Sequence, residues 1–186
     1  MTADEAIVAA IDALDAAAVP YMIVGSLASN FHGVPRSTRD ADFVVDIGPD
    51  GLDRLARALV PPLTLERQGS FEAVTGTMRH VIRLASSPFL CELFVRSDDA
   101  HDRERFGRRL RVRLLGRLAF VATAEDMIVT TLRWVEAAGR SKDREDVRNI
   151  LAVRGPDLDW DYLQHWTGEH RTAALLDDIR RSIPPV

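Results

Sequence analysis

Two aspartates separated by one residue, Asp40 and Asp42, head the apolar run Phe43-Val44-Val45. In a strand, residues i and i+2 point to the same face. The two carboxylates would therefore sit side by side and repel unless positive charge lies between them. A divalent cation or a basic side chain meets that need. Paired carboxylate oxygens suit magnesium, which shares its coordination with substrate phosphates. Asp46 lies further down the same face and reads as surface. Glu92 interrupts the apolar run Phe89-Leu90-Cys91-Glu92-Leu93-Phe94-Val95, and a carboxylate flanked this way needs a partner. If its strand lies beside the Asp40–Asp42 strand, Glu92 completes a site for two cations. Such a site can activate an attacking oxygen and stabilise a leaving pyrophosphate. The alternative for Glu92 is a buried ion pair.

Upstream, the β-rich stretch Tyr21–Val24 runs into Gly25-Ser26. A glycine at a strand end lets a phosphate approach the backbone. A helix N-terminus behind it offers free N–H groups and the positive end of a dipole, and the serine hydroxyl adds a donor. Arg36, Thr38 and Arg39 precede the aspartates and are candidates for phosphate contact or for pairing with the neighbouring acids. Lys142 is the only lysine in a chain that otherwise uses arginine. A compact ammonium differs from a guanidinium in hydration and geometry, and at this position it could neutralise a triphosphate, oriented by Asp143 or Asp146. The plain alternative is a charged first turn of a helix.

These residues need elements to hold them. Apolar spacing predicts a helix over 4–18, a strand over 21–24 and a short helix from Ser26 to about Phe31. It then predicts a strand over 41–47 and a helix over 50–59. Residues 63–84 read as strands or hairpins, 89–95 as a strand, and 109–121 as one or two more. Thr123 with Asp126 resembles a capping box opening a helix to Ala138. A second helix starts near Ser141, and the last 30 residues read as further helix. The fold class is α/β (α+β): a short mixed sheet with flanking helices and a C-terminal helical segment. The expected division is a core over 1–121 and helices over 122–186, packed as one compact unit.

The 186 residues supply enough apolar material for one core, and the net charge of −4 argues weakly against extended DNA binding. Seven arginines nevertheless fall between Arg103 and Arg117, either to grip an RNA backbone or to solvate strand faces and loops. The single cysteine, Cys91, excludes an intrachain disulfide and a cysteine zinc cluster. No run is long enough to span a membrane, and the acidic start differs from a signal peptide. The protein therefore reads as cytoplasmic, with no membrane partner. His32 and His80 read as structural, Met78 and Met127 as core, and Trp134, Trp160 and Trp166 as packing residues.

The segment Val24-Gly25-Ser26-Leu27-Ala28 through His32-Gly33, followed by Arg36-Ser37-Thr38-Arg39-Asp40-Ala41-Asp42, resembles the nucleotidyltransferase (polymerase-beta-like) superfamily. In particular it resembles the AbiEii-type branch of bacterial toxin–antitoxin and abortive-infection proteins. Glu125-Asp126-Met127-Ile128 with Leu132 resembles that branch's "P-E-D-L-I…K-L" helix. Lys142-Asp143-Arg144-Glu145-Asp146 resembles its "K-D-x-x-D" start. The chain departs from the pattern with Ala124 for the proline, Thr131 for the lysine, and Glu92 where the third acid is usually aspartate.

The resemblance implies a nucleotidyltransferase that moves a nucleoside monophosphate from an NTP to a hydroxyl acceptor and releases pyrophosphate. Asp40, Asp42 and Glu92 would hold two Mg2+ ions, for which Mn2+ could substitute. Those three with Lys142 would be catalytic. Gly25, Ser26, Arg36, Thr38, Arg39 and Asp143 would bind the nucleotide. The expected acceptor is RNA, such as a tRNA 3′ end, with a cognate toxin or antitoxin as partner. Alternatives are a protein or aminoglycoside-type acceptor, or a non-catalytic nucleotide- or partner-binding module.

Overall fold

The computed structural model describes residues 1–66, 68–74, 76–85 and 87–184. In chain order its elements are α1 (Ala3–Ala16), β1 (Tyr21–Val24), α2 (Gly25–His32), β2 (Asp40–Val45), α3 (Gly51–Ala58), β3 (Leu63–Leu65), β4 (Ser70–Glu72) and β5 (Thr77–Leu84). There follow β6 (Leu90–Val95), α4 (Ala100–Arg108), β7 (Leu110–Leu114), β8 (Arg117–Val121), α5 (Ala124–Ala138), α6 (Ser141–Arg154), α7 (Trp160–Glu169) and α8 (Ala173–Arg181). No helix among the described residues is long and apolar enough to cross a membrane.

The strands form one mixed sheet in the order β3-β5-β6-β2-β1-β8-β7, with β4 also on β5. Two pairings in it are parallel, β2 with β6 and β1 with β8. Strand β2 is central, and its alternation explains the site. Ala41, Phe43 and Val45 are fully buried on one face. Asp40, Asp42 and Val44 take the other face, as period-2 geometry requires. Burying a side chain such as Phe43 contributes about 1.5–3 kcal/mol, so a one-residue slip that exposed this face is strongly disfavoured. Tyr21 packs edge-on against Phe43 and Phe120, with centroids 6.0 and 5.9 Å apart.

Helix α1 is opened by a capping box in which Thr2 Oγ1 accepts from the Glu5 N–H and Glu5 accepts from the Thr2 N–H. It buries Ile7, Ile11 and Leu14. Helix α5 begins as its sequence predicts: Thr123 Oγ1 accepts from the Asp126 N–H at 3.1 Å and donates to Asp126 Oδ2 at 2.7 Å. Gly139 closes it with φ +62°, a conformation that favours glycine. Helices α2, α5 and α6 pack on one another, and α7 and α8 lie against α5 and α6.

Two expectations differ. Helix α4 has no counterpart in the apolar pattern, because its buried residues are His101, Asp102, Arg105 and Phe106, three of them polar. Met78 is exposed beside Phe71 across the β4–β5 pair rather than in the core, whereas Met127 is buried.

Candidate active site

Strands β2 and β6 pair in parallel with Asp42 directly opposite Glu92 and Val44 opposite Phe94. Asp40, Asp42, Val44, Glu92 and Phe94 thus form the floor of one cleft. Gly25 and Ser26 at the start of α2 line it on one side. Met127, Thr130, Thr131 and Trp134 from α5 line the other, with Arg105 from α4 and with Arg140, Lys142, Asp143 and Asp146 at and after the start of α6.

Gly25 is required by contact. Its φ is +60°, and a Cβ there would lie 2.0 Å from Asp42 Oδ2. The backbone therefore presses directly against the acidic group. Among the described residues no side chain caps α2, and a helix N-terminus of this kind has N–H groups that can bind an anion. Ser26 is held from behind. Arg36 Nη2 donates to Ser26 Oγ at 2.8 Å, and the same guanidinium makes a two-pronged pair with Asp146 at 2.8 and 2.7 Å. With its oxygen accepting from Arg36, the Ser26 hydroxyl keeps its own proton to donate.

The carboxylates crowd one another. Burial pushes the Asp42 carboxyl up to about 8, and Asp40 and Glu92 add to the rise while Lys142 opposes it. A group placed this way invites a cation. Thr38 donates to Asp40 Oδ1 at 2.8 Å. Glu92 is engaged too: Arg79 Nη1 donates to its Oε1 at 2.8 Å, reaching diagonally from β5, where Arg79 opposes Phe94. The ion-pair alternative for Glu92 is therefore realised, although the residue still lines the cleft. Among the described residues, no three His, Cys, Asp or Glu side chains close a metal site by themselves. The donor set fits a hard cation that takes two carboxylates, from Asp40 and Asp42, and finds its other ligands on substrate and water.

Lys142 lies exposed at the cleft. The acids expected to orient it serve other partners: Asp143 accepts from Arg140 at 2.7 Å and Asp146 from Arg36. Asp143 is buried, so its side chain braces α6. Arg39 is exposed, and neither it, Thr38 nor Arg36 is among the residues lining the cleft.

The arginine run is not one stripe. Arg105 is buried on Asp102, with Nε 2.5 Å from Oδ1. Arg108 lies over the Tyr162 ring and Arg109 over Phe106 and Phe120. Arg117 pairs with Asp12, while Arg103, Arg111 and Arg113 are exposed. His32 is structural, its Nε2 2.7 Å from the Ala122 carbonyl. His80 lies buried in β5. Sequence reasoning missed Arg79, Arg105 and Arg140, and it read Trp134 as packing alone. Only the alternation of β5 offered a signal, for Arg79.

No protein-family model matches the chain, and no curated protein does. Solved structures do match. The crystal structure of ANT(2'')-Ia in complex with adenylyl-2''-tobramycin superposes with a TM-score of 0.63 at 16% identity, over 91% of this chain and 99% of that one. The solution structure of the antibiotic-resistance factor ANT(2'')-Ia gives 0.61 at 14% identity over 96% of each chain. This is a nucleotidyltransferase fold. An antigenic nucleotidyltransferase-like protein from Paracoccidioides brasiliensis shares it at TM-score 0.53 and 16% identity, over 97% of this chain and 93% of that one. At these identities the likeness establishes the nucleotidyltransferase architecture, and none of these neighbours singles out the AbiEii-type branch.

Proposed function

We propose that the protein transfers a nucleoside monophosphate from an NTP to a hydroxyl acceptor and releases pyrophosphate. The observation that carries this reading is the contact of Gly25 with Asp42, which sets an uncapped helix N-terminus against a carboxylate paired in register with Glu92. A phosphate site and a cation site are thereby made from adjoining atoms.

In this reading the α2 N-terminus and the Ser26 hydroxyl bind the β- and γ-phosphates. Asp40 and Asp42 hold Mg2+, or Mn2+ in its place, with Glu92 supplying the third carboxylate once it turns from Arg79. Cations held by Asp40, Asp42 and Glu92 would supply neutralisation of the charge on the transferred phosphoryl group. Lys142 stands where an ammonium can meet the departing pyrophosphate. Glu92, beside Asp42, is placed to accept the proton of the attacking hydroxyl.

For the acceptor we favour an RNA 3′ hydroxyl, such as that of a tRNA, as in toxin–antitoxin systems. Beyond Asp40, Asp42 and Glu92, the carboxylates lining the cleft are Asp143 and Asp146, and both are already paired with arginines. Little acidity remains to meet a polycation. A second reading, an aminoglycoside-type acceptor, is supported by the full-length likeness to ANT(2'')-Ia. Incubation with labelled NTPs, Mg2+ and either total tRNA or a panel of aminoglycosides separates the two. Label on RNA is the expected result. Label on a drug supports the second reading, and label on neither counts against transfer.

A further inference from the structure

The cleft floor changes character along the strands. From Asp42 and Glu92 it passes to Val44 and Phe94, about 7 Å further at strand spacing. That is the separation a base needs from the phosphate of its own nucleotide. Trp134 lines the same cleft, with the Arg140 guanidinium 5.2 Å from its ring centroid. Arg105 comes from α4, which follows the C-terminal end of β6.

Arg105 is only 4% exposed, yet it lines the cleft. Its Nε is held by Asp102 at 2.5 Å and its Nη1 by Thr130 Oγ1 at 3.2 Å. Nη2 has no partner among the described residues. These tethers fix the plane of the guanidinium and leave one edge of donors. The acceptors nearby are spoken for. Asp102 Oδ2 accepts from the Ser97 N–H at 3.0 Å and the Ser97 hydroxyl at 2.6 Å, and Thr130 donates its own proton to the Asp126 carbonyl at 2.7 Å. Around Arg105 the cleft therefore offers donors to a ring, with the nearby Asp102 and Thr130 acceptors already engaged.

We infer that Arg105 is a specificity-determining residue that selects an NTP whose base has a carbonyl oxygen at purine C6 or pyrimidine C4, guanine or uracil, over adenine or cytosine, which carry an amine there. The inference rests on the nucleotidyl-transfer reading. A guanidinium edge donates to guanine O6/N7 or uracil O4, the favourable pairing for arginine. Adenine and cytosine would turn an exocyclic amine toward a cation. Trp134 stacks on any base and contributes affinity without preference.

The test is equilibrium binding of GTP, UTP, ATP and CTP to the full chain with Mg2+ and no acceptor. GTP and UTP are expected to bind about tenfold tighter than ATP and CTP, the lower end of what one good arginine–base contact gives. Arg105→Met should bring GTP and UTP down to the level of ATP while ATP changes little. Arg105→Lys keeps the charge beside Asp102 and carries the same test if the methionine variant does not fold; the preference should shrink there as well. Trp134→Ala should weaken all four nucleotides about equally. Equal affinities in the wild type, a preference that survives both Arg105 variants, or no effect of Trp134→Ala overturns the inference. Failure of every NTP to bind overturns the transfer reading instead.

Discussion

Arg79 crosses the β5–β6 ladder diagonally to set its Nη1 2.8 Å from Glu92 Oε1. A cation at the acidic cluster and this guanidinium therefore compete for one carboxylate. Arg79→Ala is expected to tighten Mn2+ binding several-fold, followed by electron paramagnetic resonance of the free ion. Glu92→Gln should weaken it about tenfold. The pair is partly exposed, so the fold should lose less than about 1 kcal/mol in the arginine variant. Identical Mn2+ affinities in both variants would remove Glu92 from the cation site.

Asp42 should make the metal-free protein less stable as pH rises. Its carboxyl is raised from 3.8 to about 8 in the folded chain, chiefly by burial and then by Asp40 and Glu92. A raised pKa contributes stability that is full below the unfolded value. That stability is lost as pH climbs through the folded one, here from about 4 to about 8. Asp42→Asn should flatten this slope and raise the metal-free melting temperature at pH 8. Allowing for water reaching the group through the cleft, the gain is on the order of a few kcal/mol. Mg2+ should stabilise the wild type more at pH 8 than at pH 6 and the variant hardly at all. Scanning calorimetry at both pH values, with and without Mg2+, reads all four quantities.

Gly25→Ala meets two obstacles, a φ of +60° and a contact of 2.0 Å with Asp42 Oδ2. The backbone strain alone is about 1 kcal/mol. The added methyl must also displace the carboxylate. Urea denaturation should show a loss of about 2 kcal/mol, and Mn2+ and NTP binding should fall by more than tenfold. Wild-type cation affinity in a folded Gly25→Ala protein would contradict the proposed contact between phosphate cradle and cation site.

In the proposed reading, Arg36 acts on the nucleotide through Ser26, to whose Oγ its Nη2 donates at 2.8 Å. Arg36→Ala leaves Asp146, which is 7% exposed, without its two-pronged partner. A loss of roughly 2–4 kcal/mol follows from stranding a buried charge. Asp146→Asn in the same chain should recover part of that stability. It should not recover NTP affinity, because Ser26 remains unsupported. A double-mutant cycle read by both denaturation and binding distinguishes bracing from direct contact.

Much of this geometry was legible in the order of residues. The alternation through Asp40–Val45 put two carboxylates on one face and three apolar side chains on the other. The isolated Glu92 in an apolar run marked the partner strand, and Thr123 with Asp126 marked the start of α5. What stayed hidden depends on distant or polar partners. The Arg36–Asp146 pair joins residues 110 apart. Arg79 finds Glu92 only through the diagonal of an antiparallel ladder. Arg105 was one arginine in a run of seven, and its burial is set by Asp102 and Thr130, with no apolar period to announce it. The expected link from Lys142 to Asp143 or Asp146 failed because nearby arginines pair with both acids.

The parallel pairing of β2 with β6 brings together Asp42 and Glu92, about fifty residues apart in the chain. Contacts of that separation carry a higher loop-closure cost than local ones, and non-local pairing slows folding. A nascent or half-folded chain can hold Gly25 beside Asp42 through the antiparallel β1–β2 pair, which α2 connects, but it lacks the third acid. In the proposed reading, ligation by all three carboxylates thus becomes a clock for the end of folding. In stopped-flow refolding, Mn2+ uptake dependent on Glu92 should lag the gain of secondary structure and coincide with burial of Leu93 and Cys91 on the same strand.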